Sequence, residues 1–149
     1  MYKHILIPTD GSERSKRALQ QGAEFATALG ARLTVVHVTR PLHSMLGEPI
    51  TVGAMTDEAR NFVHEYLTAD AEAALSAASA IAEEAGVACE AIRAEHEHIY
   101  QGIIDTARER GCDLIAMASH GRSGLQAVVL SSETVKVLIH SKIPVLVYR

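Results

Sequence analysis

Short continuous apolar runs recur along this chain, each leading into small or polar residues: Ile5-Leu6-Ile7, residues 33–38 (LTVVHV), Leu114 to Ala118 (LIAMA) and residues 143–148 (IPVLVY). Runs without polar alternation read as strands buried on both faces, which is what a parallel sheet covered by helices requires. Between the first two runs the pattern predicts a helix ending near Leu29. Asp10 or Ser12 can cap it, Glu13 falls in its first turn where a carboxylate suits the helix dipole, and Gly30 closes it. Ala18, Gly22, Phe25 and Leu29 share one face. The unit is β-α-β, whose right-handed crossover pairs its strands in parallel.

The alternation continues. Residues 40–55, with Pro41, Gly47, Pro49 and Gly53, read as a long loop, and loops of that length are usually functional or mobile. Residues 56–85 carry a long helical pattern. Phe62, Val63, Tyr66, Leu67, Ala71, Ala74, Ala78, Ile81 and Ala85 stand mostly three or four residues apart, and the alanines favour helix and close packing. Gly86 stops it, and residues 87–93 (VACEAIR) alternate as a third strand. After the polar connection Glu95-His96-Glu97-His98, the residues Ile99, Ile103, Ile104 and Ala107 mark a helix ended by Gly111. A last helix from about Ser132 to His140 precedes the fifth strand. Five strands alternating with four helices predict a single-domain α/β protein with a doubly wound sheet.

A chain of 149 residues with 48% hydrophobic and 21% charged residues can bury a substantial core as one domain. Its net charge of −4 argues against nucleic acid as a partner. No apolar stretch approaches a membrane span, and the opening run is too short for a signal-peptide core. Cys89 and Cys112 are the only cysteines and fall in segments that read as buried or helix-terminal, which suits a reducing compartment, so a cytoplasmic protein is expected.

The stretch from Leu114 to Ser132 carries the chemistry. A strand runs straight into Ser119, His120 and Gly121, and Ser131-Ser132 open the helical signal SSETVKVLIH. Freed backbone N–H groups together with a helix N-terminus make an anion site, with phosphate its natural guest. Arg122 can pair with a phosphate, whereas Glu133 in the first helical turn works against a polyphosphate. Asp10, Ser131 and Ser132 can each serve instead as plain helix caps.

The spacing here, Ala118-Ser119-His120-Gly121, nine residues and then Ser131-Ser132, resembles that of the universal stress protein family. Its nucleotide-binding members carry Gly-x-x-Gly, nine residues, then Gly-Ser or Gly-Thr. Ala118 and Ser131 therefore stand where the family has glycine. A Cβ forced toward positive φ costs roughly 1 to 2 kcal/mol, so a penalty on phosphate contacts is expected at Ser131. The resemblance extends to the opening Pro-Thr-Asp, the His-Val ending strand 2 and the closing Pro-Val-Leu-Val. It implies the adenine nucleotide alpha hydrolase-like sheet with strand order 3-2-1-4-5. Strands 1 and 4 then meet at the topological switch, where such sheets bind ligands, and Asp10 and Ser119 face one pocket.

The resemblance further implies an adenine nucleotide, ATP or AMP, accompanied by Mg2+. Asp10 and the backbone at Val38 would hold adenine and ribose, with Pro8 and Thr9 shaping the adenine wall. Ala118, Ser119, His120 and Gly121, with Ser131 and Ser132 at the helix start, would hold the phosphates, and Met117 and Arg122 would belong to the same nucleotide site. It also implies a homodimer in which Val145 to Tyr148 pairs antiparallel with its twin, and the apolar run Val128, Val129 and Leu130 is placed to help cover that join.

No Walker, dinucleotide or nucleophile-elbow glycine motif occurs, and no nucleophile with a matching base is evident, which leaves room only for slow hydrolysis of bound ATP. His96, His98 and His120 match no closed zinc spacing and read as solvated loop histidines. Three readings stay open: a nucleotide-binding stress module whose ligand state is read by partners, a nucleotide-free dimeric interaction protein, and a slow ATPase.

Overall fold

In this computed structural model, which describes residues 1–46, 53–119 and 130–149, five strands make one parallel sheet. They are β1 (His4–Pro8), β2 (Arg32–Thr39), β3 (Cys89–Glu95), β4 (Leu114–Ala118) and β5 (Val145–Tyr148), in the order β3-β2-β1-β4-β5. The helices are α1 (Glu13–Leu29), α2 (Leu42–Leu46), α3 (Asp57–Glu84), α4 (Ile99–Glu109) and α5 (Ser132–His140). The four longer ones are those expected. The addition is α2, a single short turn inside what reads in sequence as a loop, while residues 47–52 of that loop lie outside the described residues.

Register explains why the strand runs are apolar throughout. Ile5 pairs with Leu33 and with Leu114, and Ile7 with Val35, so these side chains share one face. There they pack with Leu19, Ala23 and Ala26 of α1 and with Ala78 and Ala82 of α3. The alternate residues Leu6, Val36, Val38, Ile115 and Met117 face the other way, onto Ile103, Ile104 and Ala107 of α4 and Val137 of α5. Because both faces are covered, polar alternation would place polar side chains in one core or the other.

Thr56 caps α3 by accepting the Ala59 N–H, but the apolar stripe of this helix is buried only in its second half, at Ala71, Ala74, Ala78 and Ala82. Phe62 and Tyr66 are 70% and 65% exposed. Length accounts for this. Twenty-eight helical residues span about 42 Å at 1.5 Å each, against about 26 Å for the eight residues of β2, so the first half of α3 overhangs the carboxyl edge of the sheet. Phe25 and Leu29 of α1 are likewise only half-buried, and Leu19, Ala23 and Ala26 supply more of its core face.

Cys112 is buried, Cys89 half-buried, and both are free. Burial pushes the Cys112 thiol up to about 11 and raises that of Cys89 as well, so both behave as small packing groups rather than nucleophiles. Among the described residues no helix is long and apolar enough to cross a membrane.

Candidate functional site

The sheet order places the ends of β1 and β4 side by side, and each strand leads into a helix start. After β1 the ladder continues for one more bond, from the Thr9 N–H to the Val36 carbonyl (2.9 Å). The chain then turns at Gly11, whose φ of +77° suits glycine. The Asp10 carboxylate accepts the Ser12 N–H (2.9 Å), and the Thr9 hydroxyl accepts the Gly11 N–H (3.2 Å). Ser12, rather than Asp10, caps α1 through the Ser15 N–H. Asp10 therefore shapes the turn and stands beside the cleft that opens above β1.

The β4 side is stitched differently. The Ser119 N–H donates to the Tyr148 carbonyl (2.8 Å), and the Ser119 carbonyl accepts the Ser131 N–H (2.6 Å). Ser131 caps α5: its hydroxyl oxygen accepts the Thr134 N–H (3.2 Å) and lies 2.7 Å from the Thr134 hydroxyl, which donates to the Ala118 carbonyl (3.0 Å). The expected strain at Ser131 is absent. Its φ is −60° and ψ 151°, and no described non-glycine residue has positive φ, because a serine cap prefers the extended region that a glycine turn would have left. Its N–H is committed to Ser119, so the described donors left at the head of α5 are the N–H groups of Ser132 and Glu133.

Glu133 is committed as well. Its carboxylate accepts the Tyr100 N–H (2.9 Å) and the Lys136 ammonium (3.1 Å). The N-cap of α4, His98, makes no side-chain cap bond, so a carboxylate from α5 caps α4 across the helix pair. These contacts offset part of the repulsion expected of this residue. Close approach of α4 to β2 completes the wall: a Cβ at Gly102 would come within 2.7 Å of Val38 Cγ1.

Pro8, Thr9, Asp10, Val38, Met117, Ala118, Ser131 and Ser132 all line one cleft of about 270 Å³. Ser119 is buried and is not among the lining residues; it shapes the site through its backbone bonds. His120, Gly121 and Arg122 lie outside the described residues, as do Val128 and Val129. Val36, Ile99 and Ile103 also line the cleft and make it mainly apolar, joined by Ser15, His37, Glu133 and Thr134. Apart from Glu133, whose charge the sequence already sets against a polyphosphate, none of these is legible as a site residue from motif alone. Val36 is legible by strand period instead, since it stands two residues before Val38 on the same strand face. Ile99 and Ile103 were visible only as a helical stripe.

An apolar slot walled by Val36, Val38, Ile103 and Met117, with a carboxylate at one side and two helix N–H groups at the other, suits a flat heterocycle bearing hydroxyls and one anionic group. The universal stress protein family model matches residues 1–149. This chain belongs to the universal stress protein family. It is 33% identical to universal stress protein YxiE of Bacillus subtilis, with all of both chains covered. Universal stress protein MJ0577 of Methanocaldococcus jannaschii is 30% identical over 100% of this chain and 96% of its own. Its solved structure superposes with a TM-score of 0.79 at 29% identity, covering 99% of this chain and 95% of the other. The universal stress protein of Archaeoglobus fulgidus, solved in complex with dAMP, shares the fold at a TM-score of 0.70 and 23% identity, with coverages of 99% and 98%.

Proposed function

We propose that this universal stress protein binds an adenine nucleotide, AMP or ATP, in the cleft at the carboxyl ends of β1 and β4, and that partners read its ligand state in a cytoplasmic stress response. The observation that carries the reading is convergence: Pro8, Thr9, Asp10, Val38, Met117, Ala118, Ser131 and Ser132 come from distant parts of the chain and line a single slot. Adenine lies between Val38 and Pro8, Asp10 meets the ribose side, and the Ser132 and Glu133 N–H groups seat one phosphate. Any Mg2+ accompanies the further phosphates of ATP. The dAMP held by the Archaeoglobus fulgidus protein is in keeping with this reading but, at 23% identity, that likeness carries the fold alone.

Calorimetric titration tests it. Asp10→Ala should weaken adenosine and ATP alike, by roughly tenfold for a lost hydrogen bond to a charged group, since the contact precedes the phosphates. A loss confined to ATP would remove Asp10 from the adenosine side, and absence of binding to the parent protein would remove the reading.

The protein acts as a homodimer. Val145 to Tyr148 is an apolar edge strand left half-buried in the single chain, and Leu138 and Ile139 of α5 expose further apolar surface. Light scattering at tens of micromolar should read a dimer, and a monomer would refute this part.

A further inference from the structure

The carboxyl edge of the sheet holds a second cleft, of about 450 Å³, where the overhang of α3 covers the ends of β2 and β3. Arginines from three separate segments line it: Arg40 just after β2, Arg60 in α3 and Arg93 in β3. His43 and His64 share the wall, and Glu95 is the single carboxylate among its described lining residues. Pro41, Leu42, Val63 and Leu67 give it an apolar side.

The described partners of these guanidiniums are mainly neutral oxygens. Arg40 donates to the Ser44 carbonyl (2.8 Å), Arg93 to the Thr68 hydroxyl (2.9 Å) and Arg60 to the Met55 carbonyl (3.3 Å). Among the described residues one carboxylate comes within 4 Å of any of them: Asp57, 3.8 Å from Arg60, with a side chain 96% exposed. An exposed pair of that kind neutralises little. Each guanidinium has five N–H donors, so each keeps several for a guest. The net charge of −4 does not decide the sign here, because at physiological salt the screening length is about 8 Å and the nearest groups dominate. The cations are arginines and not lysines, and the planar fork of arginine matches phosphate oxygens two at a time.

We propose that this cleft is a second binding site, for a small phosphorylated metabolite carrying two or more negative charges. It does not depend on the nucleotide reading of the first cleft. Both clefts border β2, through His37 and Val38 in the first and Thr39 in the second, but their donors are different residues.

Sodium pyrophosphate, titrated calorimetrically without divalent metal, is the probe. Saturable binding is expected, weakened about tenfold or more by Arg60→Gln and by Arg93→Gln, the loss typical of a charge-assisted hydrogen bond. Arg40→Gln, outside any helix or strand, repeats the measurement without touching a regular element, and circular dichroism confirms that each variant is folded. Lys142→Gln, an exposed position before β5 and outside both clefts, should leave pyrophosphate binding unchanged. No saturable binding at millimolar pyrophosphate, or binding indifferent to all three arginine changes, would overturn the proposal.

Discussion

His4 is a buried histidine at the amino edge of the sheet, with Nε2 2.7 Å from the Thr34 hydroxyl. Burial first, and then the nearby Arg32 cation, hold its imidazole below the ordinary value of 6.5. Between that lowered value and 6.5 the unfolded chain binds a proton that the folded chain refuses, so stability rises with pH through this window. The full contribution is present above about pH 6.5 and is lost as pH falls below it. Chemical denaturation at successive pH values should therefore show stability declining on acidification below about 6.5. His4→Asn should flatten that decline, and parallel slopes in the two proteins would clear His4 of the effect. This sensitivity is hard to see in sequence, where His4 is merely the residue before an apolar run. The polar members of the first cleft were more legible. Asp10 lies between a strand and a helix and Ser132 opens a helix, and chain logic alone suggests an anion or a cap at each, although their convergence on one slot depends on a sheet order that only the family resemblance supplied.

At the scale of elements, the start of α5 is where physical detail departs from motif. A serine in place of glycine implied strain, but the backbone adopts a cap conformation instead and ties itself to Ser119 and Thr134. Ser131→Ala should cost about 1 kcal/mol of stability and Ser131→Gly only a few tenths, as read from urea midpoints. ATP affinity should be nearly the same in Ser131→Gly as in the parent. A tenfold gain would restore the strained reading. Periodicity located α3 correctly yet overstated its core, because a helical stripe records which residues could be buried and not how far the sheet extends beneath them. The bounds of β3 moved for a similar reason. Residues 87–93 alternate, but the Val87 N–H is spent on the Ala82 carbonyl at the end of α3, and pairing with β2 starts only at Cys89 and runs to Glu95. Turn bonds of this kind leave little trace in hydrophobic pattern.

For the whole molecule, two helical layers on a parallel sheet leave one edge, the carboxyl ends of the strands, free of the crossings that fill the cores. Both clefts lie there, as expected for an open α/β sheet whose ligands gather beyond the strand ends. The strand order that creates the switch between β1 and β4 thus matters more to function than any single motif residue. The most direct measurement is the amide spectrum of the nitrogen-15-labelled protein during titration with AMP. Saturable shifts are predicted at Thr9, Asp10, Val38, Ser132 and Glu133, which come together only in the folded cleft. No saturable change at millimolar AMP, or changes confined to residues away from this cleft, would contradict the assignment of a nucleotide site.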